Sequence, residues 1–273
     1  MYIAIDIGGT KTLLALFSER GRLLKRLKMK SYPEQDKWLS ELNKFLPRVL
    51  PLRRSTVNAI TISYPGVIEN GHPKVAPNLK GWDGKYIEAV IKSLFISKGV
   101  NCKIYYKNDA DLGALYECYN YNGFSLYLTF GTGIGGGMVK NHHLAKDSAS
   151  FEPGHMMKSY KGKRLEWEKI ASSKAIRAAN DDLDVTKITN KKALEDVACR
   201  MALGLSTLIK EHQPDQIILS GPITEVFPGF YDTLVKLLRA SLPTSYDIPK
   251  IYAAKRPQES VIYGAYLYGC SKK

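Results

Sequence analysis

The chain has 273 residues, of which 44% are hydrophobic, so it can bury a sizeable core and is expected to form two lobes. Its 40 basic and 26 acidic residues give a formal net charge of +14, for which a lysine-rich solvated surface is favoured over a nucleic-acid surface. The sequence has no run of about 18 apolar residues, no secretory leader and no CxxC pair, which excludes a membrane span and favours free thiols in a reducing cytoplasm.

Hydrophobic periodicity predicts an α/β chain. In the first lobe we expect strands at 2–6, 12–18, 22–29, 57–63 and 103–106, and helices at 36–49, 85–97 and 109–118. In the second lobe we expect strands at 125–130, 134–140, 216–219 and 251–253, and helices at 165–179, 191–212 and 231–239. A last helix is expected at about 259–270. No low-complexity linker separates the lobes, so we expect a hinge between them.

Two glycine-rich turns follow predicted strands, at Asp6–Lys11 and at Gly131–Gly137. Glycines let backbone N–H groups approach an anion closely, while Thr10 adds a hydroxyl donor and Lys11 a positive charge. A hairpin turn is the alternative interpretation of both segments. Five glycines in seven residues of the second turn are more than a hairpin needs. Neither segment matches a Walker loop or a dinucleotide-binding fingerprint, so the sequence favours two phosphate-binding turns of another kind.

Between the two turns lies the acidic pair Asn108-Asp109. Asp109 is predicted to follow a strand and to open a helix, where its side chain can face a cleft. A helix N-cap is the alternative role, because aspartate fills that position well. Phosphoryl transfer to an alcohol needs a group that receives the hydroxyl proton. With the flanking glycine turns, Asp109 is predicted to be that catalytic base.

The ordered set of motifs resembles the ROK family of sugar kinases, within the superfamily of hexokinase, actin and the heat-shock ATPase chaperones. The resemblance covers essentially the whole chain and rests on segments at 6–11, 64–67, 76–82, 108–111, 131–137, 152–155, 167–172, 219–221 and 263–265. It implies a two-lobed, ribonuclease-H-like or actin-like ATPase fold with a cleft between the lobes. The expected lobes are 1–118, with the C-terminal helix 257–273 packing back on it, and 119–256. A homodimer is usual for the family.

The resemblance also implies roles for individual residues. Asp6 is expected to hold Mg²⁺ through water, since Mg²⁺ keeps much of its hydration shell. Contacts to ATP and its phosphates are expected at Gly8, Gly9, Thr10, Lys11, Gly131, Thr132, Gly133 and Gly221. Contacts to the sugar are expected at Gly66, Asn78, Asn108, Asp109, Glu152, His155 and Glu168. Taken alone, His155 and Glu168 could equally be surface residues; the Glu-x-Gly-His spacing favours hydrogen bonds to sugar hydroxyls.

Two departures from the family pattern bear on the site. Many members carry a Cys-x-Cys-Gly-x-x-Gly-Cys zinc site after the Gly-His pair, whereas residues 156–167 contain no cysteine. No structural zinc is therefore expected, and the orientation of His155, which zinc ligation fixes in relatives, is left open. Pro222 stands beside Gly221 where relatives show further glycines, and it lacks an N–H donor. The preference for ATP over other nucleotides is also left open.

The expected function is that of an ATP- and Mg²⁺-dependent hexose 6-phosphotransferase. The acceptor would be glucose or an N-acetylhexosamine such as N-acetylmannosamine or N-acetylglucosamine, and the sequence leaves this choice open. One alternative is a sugar-sensing regulator without catalysis, although family repressors carry an N-terminal helix-turn-helix domain and the first strand here begins at Tyr2. A chaperone or filament protein of the superfamily is the other alternative, for which 273 residues leave no room.

Overall fold

A computed structural model describes residues 1–53, 56–76 and 82–272. The chain divides into two compact units, called unit 1 (Met1–Tyr116 with Glu259–Lys273) and unit 2 (Glu117–Gln258). The predicted sugar contact Asn78 lies outside the described residues. Within the described ranges, none of the helices has the length and apolar character that a membrane span requires.

Unit 1 contains most of the strands predicted in the first half of the chain. Its elements up to the crossing into unit 2 are β1 (Tyr2–Ile7), β2 (Lys11–Phe17), β3 (Leu23–Lys30), α1 (Gln35–Val49), β4 (Ala59–Ser63), β5 (Ile68–Glu69), β6 (His72–Pro73), α2 (Gly84–Ser97), β7 (Lys103–Lys107) and α3 (Asp109–Glu117). The short β5–β6 hairpin is absent from the sequence-based expectation, because two-residue strands carry no periodic signal.

The unit 1 sheet has the order β3-β2-β1-β4-β7. β1 runs antiparallel to β2 and parallel to β4, which in turn runs parallel to β7. One face is covered by α1 and α2, whose buried side chains include Trp38, Leu42 and Ile87. Because the carboxyl ends of parallel strands meet at one edge of a sheet, the residues that follow β1 and β7 are brought together there.

Unit 2 repeats the five-stranded arrangement. Its elements are β8 (Phe124–Phe130), β9 (Ile134–Lys140), β10 (His143–Leu144), β11 (Met157–Tyr160), β12 (Lys163–Glu166), α4 (Glu168–Ala171), α5 (Ser173–Ala178), α6 (Lys191–His212), β13 (Gln216–Ser220), α7 (Phe227–Ser241) and β14 (Lys250–Ala253). The main sheet has the order β10-β9-β8-β13-β14, and β11 with β12 forms a separate hairpin. The core joins this sheet to the inner faces of α6 and α7, including Met201, Leu205 and Leu234.

The C-terminal helix α8 (Ser260–Cys270) belongs to unit 1. Its Ile262 and Ala265 join a buried cluster with Tyr2 and Phe17 of the unit 1 sheet. A Cβ on Gly264 would lie 1.8 Å from the Leu112 carbonyl oxygen, so only glycine permits this approach of α8 to α3.

The continuous helix predicted at 165–179 is wrong. Residues 163–166 form strand β12, and the helical part breaks into α4 and α5 at Ser172. Ser172 has extended backbone angles, and its hydroxyl accepts a hydrogen bond from the Ala175 N–H. Serine favours such a cap over a helix interior, because its side chain competes for backbone hydrogen bonds. The apolar spacing across the break conceals it from periodicity alone.

Candidate active site

Asp6 lies near the end of β1, in register with Ser63 of β4 and Leu13 of β2. It is partly buried at the strand edge where β7 also ends. Burial, followed by the nearby Asp109 carboxylate, raises the pKa of Asp6 from its ordinary 3.8 to about 6. Two carboxylates close enough to interact in this way would both be stabilised by a cation. The predicted Mg²⁺ partner therefore has surroundings that fit a divalent ion.

The first glycine turn joins β1 to β2. The Gly8 N–H donates to the Lys11 carbonyl oxygen at 3.1 Å, and the Thr10 carbonyl accepts from the Ser31 N–H at 3.1 Å. A Cβ on Gly9 would meet no atom within 4 Å. By its connection this segment is a β-hairpin turn, so the alternative interpretation holds for its backbone. The open space at Gly9, with Thr10 and Lys11 exposed beside it, is the feature that fits a phosphate.

Asp109 is the first residue of α3, directly after β7 and Asn108. The Asn108 side-chain oxygen accepts from the Ala110 N–H at 2.8 Å, which makes Asn108 the N-cap and Asp109 the first helical residue. Asp109 also accepts from this N–H, at 2.7 Å. The N-cap role considered for Asp109 therefore belongs to its neighbour.

The surroundings of Asp109 suit a proton acceptor. Its side chain keeps an exposed surface, but the protein atoms around it displace enough water to raise the pKa of its carboxyl above the ordinary value. A raised pKa makes a carboxylate a stronger base. Asp109 can therefore receive a proton from a hydroxyl that binds beside it.

Close contacts with the backbone of a neighbouring segment require glycine at position 66. A Cβ there would lie 2.3 Å from the Val75 carbonyl oxygen and 2.8 Å from the Ala76 Cα. The same segment is held by the Val67 N–H, which donates to the Val75 carbonyl at 2.9 Å. Close backbone approach alone accounts for this glycine, so its predicted sugar contact stays a prediction.

The second glycine turn joins β8 to β9 in unit 2. The Gly131 N–H donates to the Gly133 carbonyl at 3.0 Å, and a Cβ on Gly131 would meet no atom within 4 Å. Thr132 is exposed at the tip. The start of α5 supports the turn, because the Ser173 hydroxyl donates to the Phe130 carbonyl at 2.7 Å. This turn, too, is a hairpin connection with open space at one glycine.

Gly221 follows β13 with a φ of +94°, and a Cβ there would lie 2.4 Å from the Phe130 carbonyl oxygen. Both constraints require glycine. Pro222 then begins a 3₁₀ helix, Pro222–Val226. Gly221 thus packs against the last residue of β8, next to the second glycine turn.

The predicted sugar-side residues of unit 2 gather around a short 3₁₀ helix, Pro153–His155. The Glu168 Oε2 accepts from the Ile134 N–H at 3.4 Å and would lie 2.5 Å from a Cβ on Gly133. Glu168 thus contacts the second glycine turn. Glu152 precedes the 3₁₀ helix and is exposed.

Sequence reasoning missed Glu166. Its Oε1 lies 3.4 Å from His155 Nδ1. Ligand atoms of His155, Glu166 and Glu168 all lie within 4.8 Å of one another, a group of the described residues that could hold a cation without any cysteine. The signal for Glu166 is the pair of glutamates flanking a buried tryptophan in Glu166-Trp167-Glu168.

Comparisons with known proteins identify relatives of this chain. The sequence model described as "ROK family" matches residues 2–269. An N-acetyl-D-glucosamine kinase from Haemophilus influenzae is 25% identical over 308 residues, covering 97% of this chain and 98% of that protein. A xylose repressor from Bacillus spizizenii is 27% identical over 195 residues, covering 62% of this chain and 49% of that protein.

A solved structure extends the likeness to the fold. The ROK family glucokinase from Streptomyces griseus, in complex with glucose and AMPPNP, matches with a TM-score of 0.75 at 20% identity, covering 97% of each chain. The predicted actin-like ATPase fold class is thereby confirmed.

Proposed function

Because the chain belongs to the ROK family, we propose that it is an ATP- and Mg²⁺-dependent kinase for the 6-hydroxyl of a hexose. The family contains both sugar kinases and sugar-responsive repressors, as the kinase and xylose repressor relatives illustrate. The observation that carries the kinase proposal is the pairing of Asp109 with Asp6, beside a glycine turn with open space. A site that only senses sugar needs neither a base of raised pKa nor a carboxylate for a phosphate-bound cation.

In the proposed reaction, Asp109 accepts the proton of the 6-hydroxyl as the phosphoryl group is transferred. The backbone N–H groups of the two glycine turns, together with Thr10 and Lys11, hold phosphate oxygens. Asp6 would hold Mg²⁺ through water, and the ion would supply positive charge to those oxygens when bound. Gly221 would lie on the nucleotide side.

On the sugar side, Asn108 is proposed to donate from its amide nitrogen, since its side-chain oxygen is engaged by the Ala110 N–H. Glu152, His155 and Glu168 are proposed to bond ring hydroxyls. Gly66 and Asn78 would complete the sugar contacts by family resemblance. The acceptor is proposed to be glucose or an N-acetylhexosamine, N-acetylglucosamine or N-acetylmannosamine. A homodimer is proposed on the same resemblance. A cytoplasmic location is proposed because the four free cysteines suit a reducing compartment.

The test is coupled ADP release with ATP and Mg²⁺ across glucose, mannose, fructose, N-acetylglucosamine and N-acetylmannosamine. Turnover on one or two sugars is expected. Asp109→Asn is expected to lower kcat by about 100-fold or more, because it removes the general base and keeps the side-chain size. The matched control is Asp232→Asn on the exposed surface of α7, which should keep wild-type turnover.

Near-wild-type kcat in Asp109→Asn would overturn the base assignment. Calorimetric binding of a panel sugar with no ADP release would instead favour the regulator. A melting temperature of Asp109→Asn at or above that of the wild type would show that any loss of turnover does not come from unfolding.

A further inference from the structure

The β11–β12 hairpin brings Glu166 beside His155. In its register Glu166 pairs with Met157, two residues after His155. The His155 Nδ1 lies 3.4 Å from the Glu166 Oε1, and the Glu166 Oε2 lies 2.7 Å from the Lys169 Nζ. The carboxylate is thus held from two sides. The Lys169 ammonium, and more weakly His155, lower the pKa of Glu166.

Contacts remote from His155 fix this hairpin to α6. The Tyr160 hydroxyl donates to the Asp196 Oδ1 at 3.1 Å, and the Arg200 guanidinium lies 4.9 Å from the centre of the Tyr160 ring. On the same strand the Lys158 ammonium donates to the Thr207 hydroxyl. The backbone that carries Glu166 is therefore positioned independently of His155.

Trp167 anchors the end of the hairpin. Its side chain is fully buried, and its indole N–H donates to the Arg200 carbonyl at 3.0 Å. Its backbone N–H donates to the Met156 carbonyl at 2.8 Å. Because this anchor lies between Glu166 and Glu168, it sets the backbone of both glutamates next to the His155 segment.

We propose that Glu166 is a positioning residue for His155: it accepts the Nδ1–H of the imidazole and leaves Nε2 to accept a hydrogen bond from a sugar hydroxyl. In a neutral imidazole, a proton on one ring nitrogen makes the other an acceptor, and the partner of the first nitrogen selects the tautomer. The consequence for sugar binding rests on the proposed function. The proposed tautomer does not rest on it, because the hairpin sets the 3.4 Å approach of the Glu166 Oε1 to the His155 Nδ1.

The tautomer can be read by two-bond ¹H–¹⁵N correlation spectra of protein labelled with ¹⁵N-histidine, recorded with EDTA at about pH 8. His155→Gln identifies the His155 signals among the five histidines. The wild type is expected to show the Nδ1–H tautomer. In Glu166→Ala the Nε2–H tautomer should become predominant, and Glu166→Gln should restore the Nδ1–H form through its side-chain carbonyl.

The matched control is Glu195→Ala, which removes an exposed glutamate on α6 of the same unit. It should leave the His155 signals unchanged. An Nε2–H tautomer in the wild type, or identical His155 spectra in the wild type and Glu166→Ala, would overturn the proposal. A different outcome would assign His155 and Glu166 to metal binding and also overturn the proposal. In that outcome, added Zn²⁺ broadens or shifts the His155 signal only after EDTA is removed, and Glu166→Ala leaves the tautomer unchanged.

The kinetic arm uses whichever panel sugar is turned over. Glu166→Ala is expected to raise KM for the sugar roughly fivefold, the upper range for a pair this exposed, with KM for ATP unchanged. The effect should vanish in a His155→Gln background, because Glu166 acts through His155. A sugar KM that rises equally in both backgrounds would refute the positioning role. If no sugar is turned over while the tautomer behaves as expected, the proposed function fails and the role of Glu166 stands.

Discussion

The raised pKa of Asp6 predicts that this carboxylate lowers the stability of the unliganded protein at neutral pH. Burial and the Asp109 carboxylate shift its pKa from 3.8 to about 6 in the folded state. The folded state therefore binds the proton more tightly than the unfolded state. The contribution of Asp6 to stability is most favourable below its pKa in the unfolded state. That contribution is lost as the pH rises through its pKa in the folded state. One pKa unit corresponds to about 1.4 kcal/mol, so the full effect approaches about 3 kcal/mol.

Asp6→Asn removes the titrating group and keeps the side-chain size. Relative to wild type, the variant should gain up to about 3 kcal/mol in the free energy of unfolding between about pH 4 and about pH 8. Urea titrations in EDTA at several pH values measure this difference. The fluorescence of Trp38 and Trp82, both buried in unit 1, reports the transition.

The control for this experiment is Asp232→Asn, which removes an exposed carboxylate from α7 without touching the surroundings of Asp6. A difference between Asp6→Asn and wild type that stays constant across the pH range would refute the reasoning. So would a difference of the opposite sign, since it would mean that the folded state favours the charged carboxylate.

Two further substitutions separate packing from ligand binding. Gly9→Ala should keep the melting temperature and raise KM for ATP by roughly tenfold. The reason is that the added methyl fills space that is open in the protein and is proposed for a phosphate. Unchanged ATP kinetics would count against the phosphate role. Gly204→Ala should lower the free energy of unfolding by about 1–3 kcal/mol, because its Cβ would lie 2.1 Å from the buried Trp167 ring. Gly229→Ala in α7 is its control, since the nearest atom there, 2.8 Å away, is a terminal methyl carbon of the Leu194 side chain; an equal loss in both variants, measured by urea titration, would contradict the packing argument.

Much of the fold could be predicted because apolar periodicity reports buried strands and helices directly. The β11–β12 hairpin could not, because its strands are short, partly exposed and rich in basic residues such as Lys158 and Lys163. Its turn carries a local signal: Lys161 and Gly162 both have positive φ, at +48° and +74°. A Lys-Gly pair is a weak hairpin signal beside Asn-Gly. The residue that this hairpin positions, Glu166, was missed for the same reason.

The grouping of Asp6 with Asp109 was more accessible to prediction. Each follows or ends an apolar strand, and parallel strands place their carboxyl ends at one edge of the sheet. The N-cap of α3 could not be predicted, because Asn108 and Asp109 are both good capping residues. Which of them accepts the helix N–H depends on where the first turn begins, and sequence patterns do not fix the end of a helix to a single residue. The pKa of Asp6 likewise depends on burial that a pattern does not quantify.

Packing, as well as access for a phosphate, explains the glycines of the second glycine turn. A Cβ on Gly131 would meet no atom within 4 Å. A Cβ on Gly133 would lie 2.5 Å from a Glu168 carboxylate oxygen, and a Cβ on Gly136 would lie 2.5 Å from the Phe151 ring. These two glycines admit the segments that carry the proposed sugar ligands. The many glycines after β8 therefore let the segments with the proposed sugar ligands pack against this hairpin, and they also leave room for a phosphate.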